Sequence, residues 1–375
     1  MIYYSYGTAI LTAREAKKTQ ARARGAKLLE ESRRGRRLAP VDLPTGQLSA
    51  EMVKTSPPRT RGKVVEWQPI GVGKPLTIEI REVYTGAFPS SPFGAQKPML
   101  LASATKSIAA FDAKPLALNF LTRKTAKRSR INRPGANQQG TPVVFHSPAM
   151  TDLSITVDLS MVFDQFPKEF LDTVSGAFKS AAGVPVFLTQ SMYLLAASEV
   201  TRIAGAVGEM LFDGKPAFEA SESIDLALPG AAAAIAGFML VTPGNVDDVD
   251  SSLRQDFQIA DGKLVNSKGQ PYQGDVPYVI LAVDGTARPD LENFAPSAVT
   301  AAALTQFYGL KDGAKAALGP LLDALKLYSD MSFRTEIDKI DARLAKVKDD
   351  KERTELTLRR DALLKNITSD LLKPA

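Results

Sequence analysis

The chain has 375 residues with no cysteine, one histidine and one tryptophan, and its 47 Lys and Arg against 41 Asp and Glu give a formal net charge of +6. Without cysteine there is no disulfide framework, thiol nucleophile, zinc finger or iron–sulfur cluster, and a lone His146 excludes a multi-histidine metal site. Apolar residues at 44% and charged residues at 23% are ordinary for a globular protein, and this length buries a core without metal or disulfide.

Met1 to Ala13 is apolar and aromatic, with Tyr3, Tyr4 and Tyr6. Its basic residues follow the apolar stretch rather than precede it, an order opposite to that of a secretory signal. The expected location is cytoplasmic. From Arg14 to Arg37 come ten basic residues: Arg14, Lys17, Lys18, Arg22, Arg24, Lys27, Arg33, Arg34, Arg36 and Arg37. Only Glu15, Glu30 and Glu31 oppose them, so this segment carries +7. Its Ala, Arg, Lys, Glu and Leu favour helix, but its apolar positions are sparse, so it is expected to lean on a partner for stability. Leu38 to Lys63, with Pro40, Pro44, Pro57 and Pro58, reads as a linker.

Strand patterning starts at Val64. Leu76, Ile78 and Ile80 alternate with Thr77, Glu79 and Arg81 at period two. Met99 to Phe111 and Leu116 to Leu121 are further strand candidates. A second basic cluster follows, Arg123, Lys124, Lys127, Arg128, Arg130 and Arg133, carrying +6 with no acid. Removing the +7 and +6 segments from the total of +6 leaves the remainder at −7. Leu153 to Met161 alternates most clearly, with Leu153, Ile155, Val157, Leu159 and Met161 assigned to a buried face.

Helices are expected at Lys168 to Ala181 and Ser191 to Leu211. Strands return at Ser223 to Leu228 and Ile235 to Val241. Asp261-Gly262 marks a hairpin between Phe257–Ile259 and Lys263–Val265, and Tyr278 to Val283 reads as a buried central strand. Ser180 to Ser198 and Leu226 to Asn245 carry no charge, but Gly and Pro divide them, which favours buried core over a membrane span. The C-terminal third reads as helix. Phe333, Ile337, Ile340, Leu344 and Val347 follow a 4-3-4-3 spacing, a coiled-coil seam. After a charged stretch the apolar seam resumes in a shifted phase, which favours a helical hairpin.

These elements predict an α+β fold: an antiparallel β-sandwich-like core with inserted helices, a basic N-terminal helical arm and a C-terminal helical hairpin or coiled coil. Three regions are set apart: 1–62 as arm and linker, 63–312 as β-rich core, and 313–375 as helical region.

Catalytic motifs are missing. The four Gly-Lys pairs precede Val64, Pro75, Pro216 and Leu264, so no P-loop is present. Gly71-Val72-Gly73 is followed by Pro75 and a strand, which defeats a dinucleotide fingerprint. His146 could join a triad with Asp152 or Asp158, but local hydrogen bonding is the simpler role. Asp247, Asp248, Asp250 and Asp256 lack the glycine and glutamate of an EF-hand loop. Trp67 is assigned to packing. No catalytic residue, cofactor, metal ligand or small-molecule substrate is indicated, although a hydrolase built on carboxylates alone stays open.

The expected function is therefore that of a non-enzymatic assembly or scaffold protein. It would form an oligomer, or a complex with partners of acidic surface, through the basic residues and the helical seam. Two other readings use the same features. One is a nucleic-acid-binding module on the two basic clusters. The other is a membrane-acting, pore-forming or lipid-binding protein on anionic lipid, anchored by Tyr3, Tyr4, Tyr6 and Ile10 and inserting the uncharged stretches.

Overall fold

A computed structural model describes residues 2–6, 9–22, 67–90, 96–106, 116–133, 141–164, 166, 168, 186–188, 218–226, 234–243, 250–294, 330–331, 333–367 and 369–374. Fourteen strands lie among them: β1 Ile2–Tyr6, β2 Ala9–Thr12, β3 Leu76–Tyr84, β4 Lys97–Lys106, β5 Leu116–Thr125, β6 Arg130–Asn132, β7 Val143–Ser147, β8 Ser154–Phe163, β9 Val186–Leu188, β10 Phe218–Asp225, β11 Gly237–Val241, β12 Phe257–Ala260, β13 Lys263–Asn266 and β14 Tyr278–Asp284. The described helices are α1 (13–22), α2 (Asp250–Asp256), α3 (333–344) and α4 (Asp350–Asn366). The fold is mixed α+β, and strands dominate it.

All strand pairings are antiparallel. The larger sheet runs β2-β1-β11-β14-β3-β6, with β7 also on β3; the smaller runs β10-β8-β4-β5-β9. One apolar core joins the two sheets. Ile78, Ile80, Met239, Val279 and Leu281 come from the larger sheet, and Met99, Leu101, Ile155, Val157, Leu159 and Met161 from the smaller. Each such side chain taken from water contributes about 1.5–3 kcal/mol.

The alternation in β8 holds from Ile155 to Met161, but Leu153 lies outside the strand and is 55% exposed. The larger sheet differs more from expectation, because β3 and β14 are buried on both faces. The second face of this sheet carries its own cluster, built from Tyr3, Tyr84, Leu240, Tyr278 and Ile280. The β12–β13 hairpin contributes Ile259 and Leu264 to it. The hairpin turn is Asp261-Gly262 with φ of 50° and 73°. Two positive φ values in succession are what Asp-Gly supplies at low cost. A Cβ on Gly262 would sit 2.9 Å from Arg81 Cβ, so glycine also permits the hairpin to close down on β3.

The N-terminal residues do not form a detached arm. Ile2, Tyr3 and Tyr4 pair with Val241, Leu240 and Met239, and Tyr3 to Tyr6 pair with Thr12 to Ala9. Their apolar character is spent in the core, with Tyr3 and Tyr4 buried on opposite faces. The uncharged stretch Leu226 to Asn245 supplies β11, a strand between β1 and β14. Among the described residues no helix is long and apolar enough to cross a membrane. The helices expected at Lys168–Ala181 and Ser191–Leu211, and most of Ser180–Ser198, lie outside the described residues.

Helices α3 and α4 are joined by residues 345–349 and share an apolar cluster of Phe333, Ile337, Ile340, Leu356, Leu363 and Ile367, with Leu344 and Val347 packed against it. Asp349 caps α4 by accepting from the Lys351 N–H at 2.9 Å. The pair is fastened to the sheets at two points. Asn366 Nδ2 donates to Ala149 O at 3.1 Å. Gly73, at φ +80°, leaves the space that Leu358 fills, since a Cβ there would lie 2.5 Å from Leu358 Cδ2. Gly71-Val72-Gly73 thus belongs to a packing contact.

Candidate functional site

Two charged regions among the described residues bear on a site: the outer face of the larger sheet, and the exposed side of α1.

On the outer face, β3 points Thr77, Glu79, Glu82 and Tyr84 away from the shared core. The alternation would put Arg81 on the same face as Glu79, and the wet face was expected to be polar. Instead Glu79 and Glu82 are buried, at 3% and 1% exposure. The register with β14 shifts between Ile280 and Leu281, which lets Glu82 follow Arg81 onto this face. A buried carboxylate needs partners. Glu82 accepts from the Tyr278 hydroxyl at 2.6 Å and faces Arg130 Nη1 at 3.5 Å. Arg130 Nη1 also donates to Tyr278 Oη at 2.9 Å, and its guanidinium lies 4.6 Å from the Tyr84 ring centre. Burial first, and then Glu82, drive the Tyr278 phenol pKa upward, so it stays a neutral donor.

Three guanidiniums surround Glu79. Arg288 Nη1 reaches Oε1 at 2.9 Å, and the Nη2 atoms of Arg81 and Arg133 both lie 3.4 Å from Oε2. Arg288 also clasps Asp290 through Nε at 2.8 Å and Nη2 at 2.6 Å. That fork holds the exposed Asp290 carboxyl below its ordinary pKa.

His146, on β7, sits at the edge of this network. It is 3% exposed, and its Nδ1 lies 2.9 Å from Thr77 Oγ1. Burial, and then the Arg288 charge, lower the imidazole pKa to about 4, so it is neutral near pH 7. Of the two acids a triad could use, Asp158 belongs to β8 of the smaller sheet and accepts from Ser221. Asp152 is buried in the segment after β7. Trp67 packs edge-on to Phe238 with ring centres 4.7 Å apart. Of the acidic run, Asp247 and Asp248 lie outside the described residues, and Asp250 and Asp256 bound α2. No group of three metal-binding side chains occurs among the described residues.

The second basic cluster lies largely against its own chain. Arg128 Nη2 binds Asp275 Oδ1 at 2.7 Å, Arg130 turns to Glu82, and Arg133 turns to Glu79. Arg123, Lys124 and Lys127 are exposed near the end of β5 and in the turn after it.

The first cluster behaves differently. Helix α1 begins with a capping box: the Thr12 N–H and hydroxyl donate to Glu15 Oε2, each at 2.9 Å, and the Glu15 N–H donates back to Thr12 Oγ1 at 3.3 Å. These bonds, with the Arg254 guanidinium, lower the Glu15 pKa to about 2. Arg254 of α2 binds Glu15, and Lys17 binds Asp225 of β10. Ala16 and Gln20 are buried at 0% and 2%. With that side fixed, Arg14, Lys18 and Arg22 fall at intervals of four on the exposed side and form one stripe. They have no carboxylate partner among the described residues. Arg24, Lys27, Arg33, Arg34, Arg36 and Arg37 lie outside the described residues.

Sequence reasoning passed over Glu79, Glu82, Tyr84, Tyr278 and Arg288. The readable signal was the break in alternation at Arg81-Glu82, where a second carboxylate falls on the apolar parity of Leu76, Ile78 and Ile80. It also missed the Thr12-x-x-Glu15 box that starts α1. In comparisons with protein-family models, with curated proteins and with solved structures, this chain matches none.

Proposed function

We propose that this chain is a non-enzymatic assembly protein that docks on acidic partner surfaces through its basic N-terminal segment. The observation that carries the reading is the stripe of Arg14, Lys18 and Arg22. Helix α1 is clamped by Glu15, Ala16, Lys17 and Gln20, so its cationic side is held outward on a rigid support. Three arginines of the second cluster close the fold on Asp275, Glu82 and Glu79, which leaves the first cluster as the better interaction surface. The buried charges around Glu79 and Glu82 serve structure in this reading, and His146 is a neutral hydrogen-bonded side chain. The finer architecture in this reading is a two-sheet sandwich with helices inserted in 168–211. Its helical tail closes the seam of Phe333, Ile337, Ile340, Leu344 and Val347 on its own α4, so the basic stripe carries the contact in this reading. A remainder of −7 offers complementary charge on another copy, so a homo-oligomer is the first partner to seek.

The test is light scattering on the purified full chain across concentration, with analysis of whatever co-purifies. An oligomer or a stable protein complex is expected. A monodisperse monomer with no co-purifying protein overturns the proposal. Affinity for DNA or RNA that falls linearly with log salt, in place of protein association, would transfer the stripe to the nucleic-acid reading.

A further inference from the structure

Glu79 is shared by three guanidiniums. Its Oε1 is taken by Arg288 Nη1 at 2.9 Å, whose Nε and Nη2 donate to Asp290. Its Oε2 is left to two guanidiniums, Arg81 and Arg133, each 3.4 Å away. Charge-assisted N–H···O bonds close to about 2.7–2.9 Å when donor and acceptor are free to meet. Neither contact has closed to that length. The Arg81 Nε–H is also buried without a partner. The nearby Asp284 is committed to other donors, the Gln68 N–H at 2.8 Å and the Thr286 hydroxyl at 2.7 Å.

Both arginines rise from paired backbone. The Arg133 N–H donates to Arg81 O at 2.8 Å where β6 leaves β3, and the Arg81 stem lies under the Gly262 turn. Two like charges thus share a single carboxylate oxygen. Their side chains are 33% and 54% exposed, so this pair opens to solvent while Glu79 beneath it does not.

From this geometry we infer that Arg81 and Arg133 form a binding site for a tetrahedral oxyanion, a phosphate or a phosphate monoester. Such a group has several oxygens, so it can accept from each guanidinium at normal length, where Glu79 offers the two a single oxygen at 3.4 Å. Its negative charge relieves the repulsion between them. Glu79 is then a competitor that fixes the site when it is empty and weakens it for ligand. This site is independent of the stripe on α1 and stands or falls separately.

The experiment is calorimetric titration of the full chain at constant ionic strength with inorganic phosphate, glycerol phosphate and acetate. Saturable binding of one phosphate is expected, with acetate weaker. Glycerol phosphate binding as well as or better than phosphate assigns a monoester, and weaker binding assigns the free ion. Arg133→Ala is expected to weaken binding at least about tenfold, the cost of one charged hydrogen bond. Lys18→Ala is expected to leave it unchanged. Glu79→Gln removes the competitor, so it tightens phosphate binding, and phosphate raises that variant's thermal midpoint more than it raises the parent's. A cluster serving structure alone would lose stability in Glu79→Gln without regaining it on phosphate. No saturable binding, or binding that Arg133→Ala leaves intact, overturns the inference, and these readouts stand even if Glu79→Gln does not fold.

Discussion

Tyr278 shows how the buried charge of this molecule is made tolerable. Its hydroxyl donates to Glu82 and accepts from Arg130, so one oxygen links an anion to a cation that stands farther off. Tyr278→Phe keeps the ring packing and removes that link. Leaving charged groups short of partners costs about 1–3 kcal/mol, and the expected result is a lower urea midpoint with unchanged slope. His146 gives a second test, through pH. Its folded-state pKa of about 4 lies below the ordinary 6.5, so the unfolded chain takes up the proton first as pH falls. The stability tied to the neutral imidazole is complete above about pH 6.5 and is lost as pH drops toward 4. Urea titrations of the parent and His146→Gln across that window are expected to show a steeper loss in the parent. Parallel curves would contradict the assignment. Sequence pointed to a hydrogen-bonded His146 without its partner Thr77, and gave no role to Tyr278. Tyr278 reads as one more apolar residue of a central strand, and its hydroxyl matters only because Glu82 lies 196 residues earlier.

At the scale of elements, local pattern was a good guide where one face packs and one is wet. Strand β8 follows its alternation from Ile155 to Met161, and Asp261-Gly262 makes the turn its dipeptide demands. The pattern failed where both faces are covered. In β3 the polar alternates Glu79 and Glu82 are as buried as Ile78 and Ile80, because the β12–β13 hairpin and arginines from distant segments roof them. Strand β1 has no alternation to read, since Tyr3 and Tyr4 each enter a core and the pairing partner is β11. The helical pair depends likewise on long-range contact. Asn366 fastens α4 to Ala149. Asn366→Ala is expected to raise hydrogen exchange throughout α4 while leaving the β3 and β14 amides protected. Uniform loosening of both would show that the pair and the sheets open as one unit.

At the scale of the whole molecule, the modest net charge conceals a division of labour. In the second basic cluster Arg130 turns inward to Glu82, while Arg128 and Arg133 pair with the chain's own carboxylates from the surface. Of the first, the described residues lie on α1, with Lys17 paired to Asp225 and Arg14, Lys18 and Arg22 exposed. Composition located both clusters, yet only three-dimensional pairing distinguishes them, because the carboxylates that occupy the second come from β3 and from the segment before β14. If the open stripe drives assembly, reversing its sign abolishes assembly without unfolding the chain, since Arg14, Lys18 and Arg22 are exposed and bind no carboxylate among the described residues. The direct measurement is the mass by light scattering of the parent and of the triple variant Arg14→Glu, Lys18→Glu, Arg22→Glu, with thermal midpoints recorded alongside. The expected result is an oligomeric parent whose mass falls with salt, and a monomeric variant of equal thermal midpoint. An oligomer of the same mass in both proteins, or a monomer in both with nothing co-purifying, would contradict assembly through this helix.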